Sequence, residues 1–307
     1  MITVKNLTKK FNSFRVVDDI SFSVEKGEIV GLLGPNGAGK TTTMRMLTGF
    51  LSADAGSIKI DKIDIEKDPV TAQKKIGYLP ENNPLYKNMQ VAEFLELASQ
   101  LHQIKEADKK EALDFAVKAV GIEKVYYRSI GELSKGYKQR VGIAAALIHR
   151  PEIIILDEPT EGLDPNQRAE IRQLIKDLSK EHTIIMSTHV MQEASAVCNR
   201  MLIINKGKII ADGKPEDLAK LSQKEMILNL EIEGEQIEEK LRALPKIKEL
   251  KVISEQDKKI KLEIIPEADQ SLEPLIAQKI WENRWIVWKL ERQESNLEEI
   301  FQALTKE

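Results

Sequence analysis

Residues 29–48 read IVGLLGPNGAGKTTTMRMLT, and the fold follows from this stretch. The run before Gly34 is apolar and short, as a strand of an α/β core is. TTTMRMLTG behind it has the look of a helix. Between them Gly34, Pro35, Asn36, Gly37, Ala38, Gly39, Lys40 and Thr41 match the phosphate-binding pattern GxxxxGK[ST]. Glycine lacks a Cβ, so the backbone can bend sharply and bring its N–H groups up to an anion. Successive N–H groups make a nest for phosphate oxygens, and a helix starting near Lys40 turns its positive end to the same point. Lys40 is expected to reach the β- and γ-phosphates of a nucleotide. The Thr41 hydroxyl is expected to ligate Mg2+, with Thr42 in the same nucleotide-binding stretch. An accidental glycine turn before a surface lysine would not have a strand and a helix on its two sides in this order.

Further along, IIILDEP (153–159) sets Asp157 and Glu158 at the end of a continuous apolar run. Such a run suits a strand buried on both faces of a parallel sheet. Its carboxyl end is where open α/β sheets bind ligands. Asp157 is expected to hold Mg2+ through water, and Glu158 to orient and polarise an attacking water. A solvated acidic pair is the plain alternative, and the phosphate loop in the same domain argues against it.

Around these motifs the chain divides in two. Residues 1–213 open with β-type segments and carry a mostly helical insert at about 84–149. VAEFLELASQLHQI and KKEALDFAVKAVGI in that insert space their apolar residues by three and four, as amphipathic helices do. After residue 150, strands and helices alternate, which indicates an α/β architecture. Residues 214–307 read strand, helix, strand, strand, helix, strand, a βαββαβ order of ferredoxin-like type, and then a last helix, NLEEIFQAL. In that domain Trp281 and Trp285 fall at i and i+4 of a predicted helix, so they are expected to share a face and to pack against the sheet, with a dimer or partner surface as the alternative.

Composition excludes several classes. Hydrophobic residues make up 42% and charged residues 31% of the 307, which fits a globular chain and not a disordered one. The formal net charge of -3 supplies no global basic field, so no nucleic-acid partner is expected. One cysteine, Cys198, leaves no intramolecular disulfide and no four-thiolate metal site; it reads as a small buried hydrophobe in a helix. MITVKNLTKKF has no apolar core of the signal-peptide kind. VGIAAALI (141–148) and IIIL (153–156) fall short of the roughly 20 residues that a spanning helix needs. If the protein works at a membrane, a partner must recruit it.

Taken in order, these motifs resemble the ATP-binding subunits of ABC transporters over about residues 1–213. Leu133-Ser134-Lys135-Gly136-Tyr137 is similar to the LSGGQ signature, Thr160-Glu161-Gly162-Leu163-Asp164 to the D-loop, and His189 in MSTH to the switch histidine. Phe11 stands where the family places an aromatic that stacks on adenine. The resemblance implies an ABC ATPase core with antiparallel β and helical subdomains, ATP and Mg2+ as cofactors, and membrane-spanning permease subunits as partners. It also implies a homodimer in which two copies sandwich two ATPs. Ser134 and Gly136 would then help to complete the γ-phosphate site of the other copy, Asp164 of the D-loop would be among the nucleotide-binding residues, and His189 would touch the γ-phosphate. Ser134 also reads as an ordinary N-cap, and both roles are compatible. His102, His149 and His182 lack such context and read as structural.

Three departures stand out. Glu81 occupies the place of the usual glutamine and could itself bind Mg2+. Lys135 and Tyr137 replace glycine and glutamine in the signature, and Glu161 replaces a small residue in the D-loop. GYLPENNPLY resembles subunits associated with gliding motility or with drug and polysaccharide export. The resemblance thus implies a protein peripheral to the cytoplasmic face that powers export, with contact to the permease through residues around Glu81 to Val91 and the helical insert. A soluble ABC-type ATPase acting on ribosomes or DNA is the rival, but such proteins carry two motif sets or a long coiled-coil insert. A regulator that binds without turnover is the third, and the intact Lys40, Asp157, Glu158 and His189 argue against it.

Overall fold

The computed structural model describes residues 1–221, 227–256, 259–267 and 272–293. The chain starts with two long strands, β1 (Ile2–Phe11) and β2 (Phe14–Val24), followed by the short buried strand β3 (Ile29–Leu33), which leads into helix α1 (Lys40–Leu47). Then come β4 (Ala55–Ile60), β5 (Ile63–Asp64), α2 (Pro69–Gln73) and β6 (Ile76–Leu79). Three helices follow: α3 (Val91–Leu101), α4 (Glu106–Val120) and α5 (Lys135–Leu147). The α/β alternation resumes with β7 (Ile153–Leu156), α6 (Pro165–Leu178), β8 (Thr183–Thr188), α7 (Met191–Val197), the hairpin β9 (Arg200–Asn205) and β10 (Lys208–Gly213), and α8 (Pro215–Leu221).

These elements build two sheets. One is antiparallel, in the order β2-β1-β4-β5; the other has six strands in the order β10-β9-β3-β8-β7-β6, parallel apart from the β9–β10 hairpin. Every residue of β3, β7 and β8 is buried, as expected of strands covered on both faces. Buried positions of β1 and β4 such as Ile2, Val4, Ile58 and Ile60 share one apolar core with Val30, Leu32 and Ile155 of the parallel sheet and Met44 and Leu47 of α1. Each such side chain contributes about 1.5–3 kcal/mol on burial. The order β3-β8-β7 puts the carboxyl ends of three neighbouring strands side by side. The loops that leave them hold the phosphate-loop pattern, the switch-like histidine and the carboxylate pair. Short elements are the hard part of the sequence to read: the strand β6, only IGYL, and the five-residue helix α2 are not expected from it.

Cys198 is buried just past the last turn of α7, against Gly31 of β3, and burial pushes its thiol up to about 12. It packs as a small hydrophobe, at the helix C-cap and not within the helix.

The described residues fall into two compact units, the first within Met1–Leu218 and the second from Ala219 onward. The second unit holds β11 (Ile227–Glu233), α9 (Ile237–Arg242), β12 (Ile247–Gln256), β13 (Lys259–Pro266), α10 (Glu273–Asn283) and β14 (Ile286–Gln293). Its sheet has the order β12-β13-β11-β14, and all neighbours are antiparallel. Leu228, Leu230 and Ile232 alternate inward on β11 and meet Leu241 of α9 and Ile276 of α10. The expected last helix, NLEEIFQAL, lies outside the described residues.

The expectation that Trp281 and Trp285 share a helix face is corrected here. Helix α10 stops at Asn283 because Arg284 turns left-handed, with φ of 54°. Trp285 thus leaves the helical register. It is 7% exposed, covers Gly234 and donates from Nε1 to the Glu235 carbonyl at 3.2 Å, whereas Trp281 is 82% exposed.

Candidate active site

The loop between β3 and α1 takes the shape its glycines permit. Gly37 and Gly39 have φ of 82° and 106°, and a Cβ on Gly39 would fall 2.5 Å from the Val16 carbonyl oxygen. Side chains other than hydrogen are strained there. Lys40 is buried in the cradle, where its Nζ donates to the Gly34 carbonyl at 2.8 Å and the Pro35 carbonyl at 3.3 Å. Of the residues singled out in the sequence, Asn36, Gly37, Gly39, Lys40, Thr41, Thr42, Glu81 and Glu158 line one cleft of about 370 Å3, which Glu161 joins.

At the end of β7, Asp157 is wholly buried. Its Oδ1 accepts from Ser187 Oγ at 2.6 Å and from Thr41 Oγ1 at 3.3 Å, while its Oδ2 has no partner among the described residues. Burial raises this carboxyl above its ordinary value; the bonds from Ser187 and Thr41 oppose the rise, and the Glu81 and Glu158 charges add to it. The Thr41 hydroxyl also lies 3.4 Å from Glu81 Oε2, so its one proton is shared between two carboxylates. A buried carboxylate oxygen without a donor, a second carboxylate and a hydroxyl form a set of hard oxygen ligands. Such a set fits a divalent cation of the Mg2+ type.

Glu158 is the junction of the site. Its backbone is left-handed, with φ of 50°, a conformation that costs of order 1–3 kcal/mol and needs support from its surroundings. Its N–H donates to Ser187 Oγ at 2.9 Å. Its Oε1 lies 3.2 Å from Lys40 Nζ and its Oε2 lies 3.0 Å from His189 Nδ1. One carboxylate therefore touches both the cation of the phosphate loop and the histidine after β8.

Other expected residues lie elsewhere. Ser134 caps α5, its Oγ accepting from the Tyr137 N–H at 3.3 Å, and Asp164 caps α6, accepting from the Gln167 N–H at 2.9 Å. A Cβ on buried Gly136 would stand 3.2 Å from the Gln167 side chain, so Gln167 joins the two helix starts. None of Ser134, Gly136 and Asp164 lines the cleft. Phe11 ends β1 at 48% exposure, and it is Val16 of β2 that lines the cleft instead. His182 Nδ1 bonds the Pro151 carbonyl at 2.8 Å; His149 Nε2 bonds that of Ile76 at 3.0 Å and its ring stacks on His102 at 3.9 Å. Sequence reasoning missed Ser187, Gln167 and the buried Glu193, because no motif spacing marks a residue that bonds across strands.

A family profile described as ABC transporter matches residues 17–161. The linearmycin resistance ATP-binding protein LnrL of Bacillus subtilis strain 168 is 32% identical to the chain over 306 residues, covering 99% of this chain and 98% of that protein. The bacitracin transport ATP-binding protein BcrA of Bacillus licheniformis is 38% identical over 226 residues, 73% of each. A dimeric ATP-binding cassette solved in a post-hydrolysis state with ADP and Pi superposes with a TM-score of 0.63 at 25% identity, over 70% of this chain and 99% of that one.

Proposed function

The chain belongs to the ABC transporter ATP-binding proteins, and from that membership and the site just described we propose that it drives export as a homodimer closing on two ATP molecules. As a member of the family it binds and hydrolyses ATP and powers a membrane permease. The observation that carries the site assignment is the Glu158 carboxylate, set between Lys40 Nζ at 3.2 Å and His189 Nδ1 at 3.0 Å.

The γ-phosphoryl of ATP would compete with Glu158 for Lys40. Glu158, freed from that cation, is placed to polarise the attacking water and take its proton. His189 has one ring nitrogen occupied by Glu158. For the other to donate to a phosphate oxygen as well, the ring must be the imidazolium, which holds both protons. Thr41, Glu81 and Asp157 would hold Mg2+, which when bound neutralises phosphate charge. Ser134, Gly136 and Asp164 stand apart from their own cleft, which supports their action on the nucleotide of the second copy. Phe11 is assigned to the adenine ring.

A second groove, also about 370 Å3, runs between β6, α3 and α5 and is lined by Tyr78, Pro84, Phe94, Leu101 and His102. Its apolar walls support permease contact around Glu81 to Val91 and the helical insert. Among the described residues no helix is long and apolar enough to cross a membrane, which suits a peripheral protein on the cytoplasmic face. The names of LnrL and BcrA, linearmycin resistance and bacitracin transport, support export as the direction. The second unit is assigned to the ferredoxin-like class on its βαββαβ order and strand order, and residues 214–307 to an accessory role.

Light scattering coupled to size exclusion on Glu158→Gln, with turnover measured in parallel, tests the site. The variant is expected to bind Mg-ATP, to lose turnover by at least about a hundredfold, and to double its mass when ATP is added. Ordinary turnover would remove Glu158 as the base. A monomer with ATP bound would remove the sandwich through Ser134 and Gly136.

A further inference from the structure

We propose that Glu193 is a positioning residue for ATP hydrolysis: its buried carboxylate clasps the loop after β7 to the loop after β8 and so holds Glu158 against His189. The inference rests on the assignment of Glu158 and His189 made above.

Glu193 sits in the first turn of α7 and is 4% exposed. Its Oε2 accepts from Thr160 Oγ1 and, at 3.5 Å, from Thr188 Oγ1. Its Oε1 faces Arg168 Nη1 at 3.6 Å. Thr160 lies two residues past Glu158, and Thr188 immediately precedes His189. A single carboxylate oxygen is thus bonded to both segments whose side chains must meet.

An acidic side chain at a helix start has an ordinary explanation, favourable interaction with the helix dipole. Such residues do that work from the surface, and Glu193 is turned inward. Burying a carboxylate costs several kcal/mol unless its lone pairs are satisfied. Here two hydroxyls satisfy one oxygen, and a half-exposed guanidinium stands beside the other. The placement also answers a need. Glu158 holds a left-handed backbone that its surroundings must enforce. Ser187 fixes it at the N–H, and the Thr160–Glu193 bond fixes the chain two residues further on. The clasp touches no substrate atom and acts through Glu158 and His189 alone.

The test compares Thr160→Val, which keeps shape and loses the hydroxyl, with Thr160→Ser, which keeps the hydroxyl, and adds Glu193→Ala and the Glu193→Ala/Thr160→Val double variant. The readouts are kcat, KM, ATP Kd and melting temperature. Thr160→Val and Glu193→Ala are expected to lower kcat about ten- to a hundredfold, as a displacement near 1 Å does, with Kd changed less than about twofold. Thr160→Ser is expected to restore most of the rate. The double variant should be no slower than the worse single one, because both break the same link. Unchanged kcat in Thr160→Val, equal loss in Thr160→Ser, additive losses in the double variant, or an ATP Kd that rises in step with the loss of kcat would each overturn the clasp. If Glu193→Ala does not fold, the Thr160 pair decides alone. Glu158→Gln separates the two levels. Turnover in that variant overturns the site itself, whereas its loss beside an unaffected Thr160→Val overturns only the clasp.

Discussion

The two units bury different things. Among the described residues, every buried polar or charged side chain belongs to the first unit: Lys40, Asp157, Glu158, Thr160, Ser187 and Glu193 are joined by several threonines, Ser99 and His182. The second unit closes its core with Leu, Ile and one tryptophan, whose single N–H finds a carbonyl. Both are sheets with helices packed on them, so the contrast does not come from architecture. Desolvated charge costs stability, and an unpaired oxygen such as Asp157 Oδ2 adds to that cost. Chains keep such groups where chemistry needs them. The first unit carries a strained, charged strand end, while the second carries a packed scaffold with no buried charged side chain among the described residues.

The sharpest way to break that contrast is Asp157→Asn. If the buried carboxylate is there for the reaction, Mg-dependent turnover should fall by about two orders of magnitude or more, while the melting temperature without divalent cations should rise. The sign of the pH effect follows from the raised carboxyl. Between the unfolded value of about 3.9 and the higher folded one, the native state keeps a proton that the unfolded chain has lost. Stability therefore falls as pH rises through that window and stays low above it. Asparagine lacks this penalty, so its advantage should be greatest near neutral pH and shrink toward pH 4. Thermal melts from pH 4 to 8 read it directly. A variant less stable than the parent at every pH would mean that Asp157 is structural after all.

The second unit is probed by truncating its core. Leu262, central on β13 and 1% exposed, should cost about 2–5 kcal/mol as Leu262→Ala. The loss should appear in an unfolding transition of the second unit, with the ATP Kd of the first unit unchanged. A single transition that moves with ATP binding would show that the two units share stability, and the comparison would fail.

The difference between the units also explains what could be read from the sequence. GPNGAGKT and IIILDEP were legible because each motif is contiguous and its chemistry needs those residue types at that spacing. The βαββαβ order was legible because alternation on β11 and helical spacing on α9 and α10 are local patterns. The supporting contacts were not. Ser187 bonds Asp157 and Glu158 from a neighbouring strand, and Glu193 reaches Thr160 across two loops; such pairings exist only once the strand order β3-β8-β7 is known. β6 escaped because four residues are too few to show a period. The pairing of Trp281 with Trp285 failed for a local reason, the left-handed turn at Arg284, which no hydrophobic spacing reports.

That failure supplies the smallest test. Trp281, 82% exposed, contributes little to the core, so Trp281→Ala should shift stability by no more than about 0.5 kcal/mol. Trp285→Ala, which empties the space over Gly234 and removes the bond to Glu235, should cost about 3–5 kcal/mol. Denaturant melts of the two variants, followed by the fluorescence of the remaining tryptophans, measure both. Equal losses would restore the shared helix face that the sequence suggested and would overturn the end of α10 at Asn283. A large loss for Trp281 alone would mean that its ring is covered, and mass measurements at several concentrations would then show whether a second copy covers it.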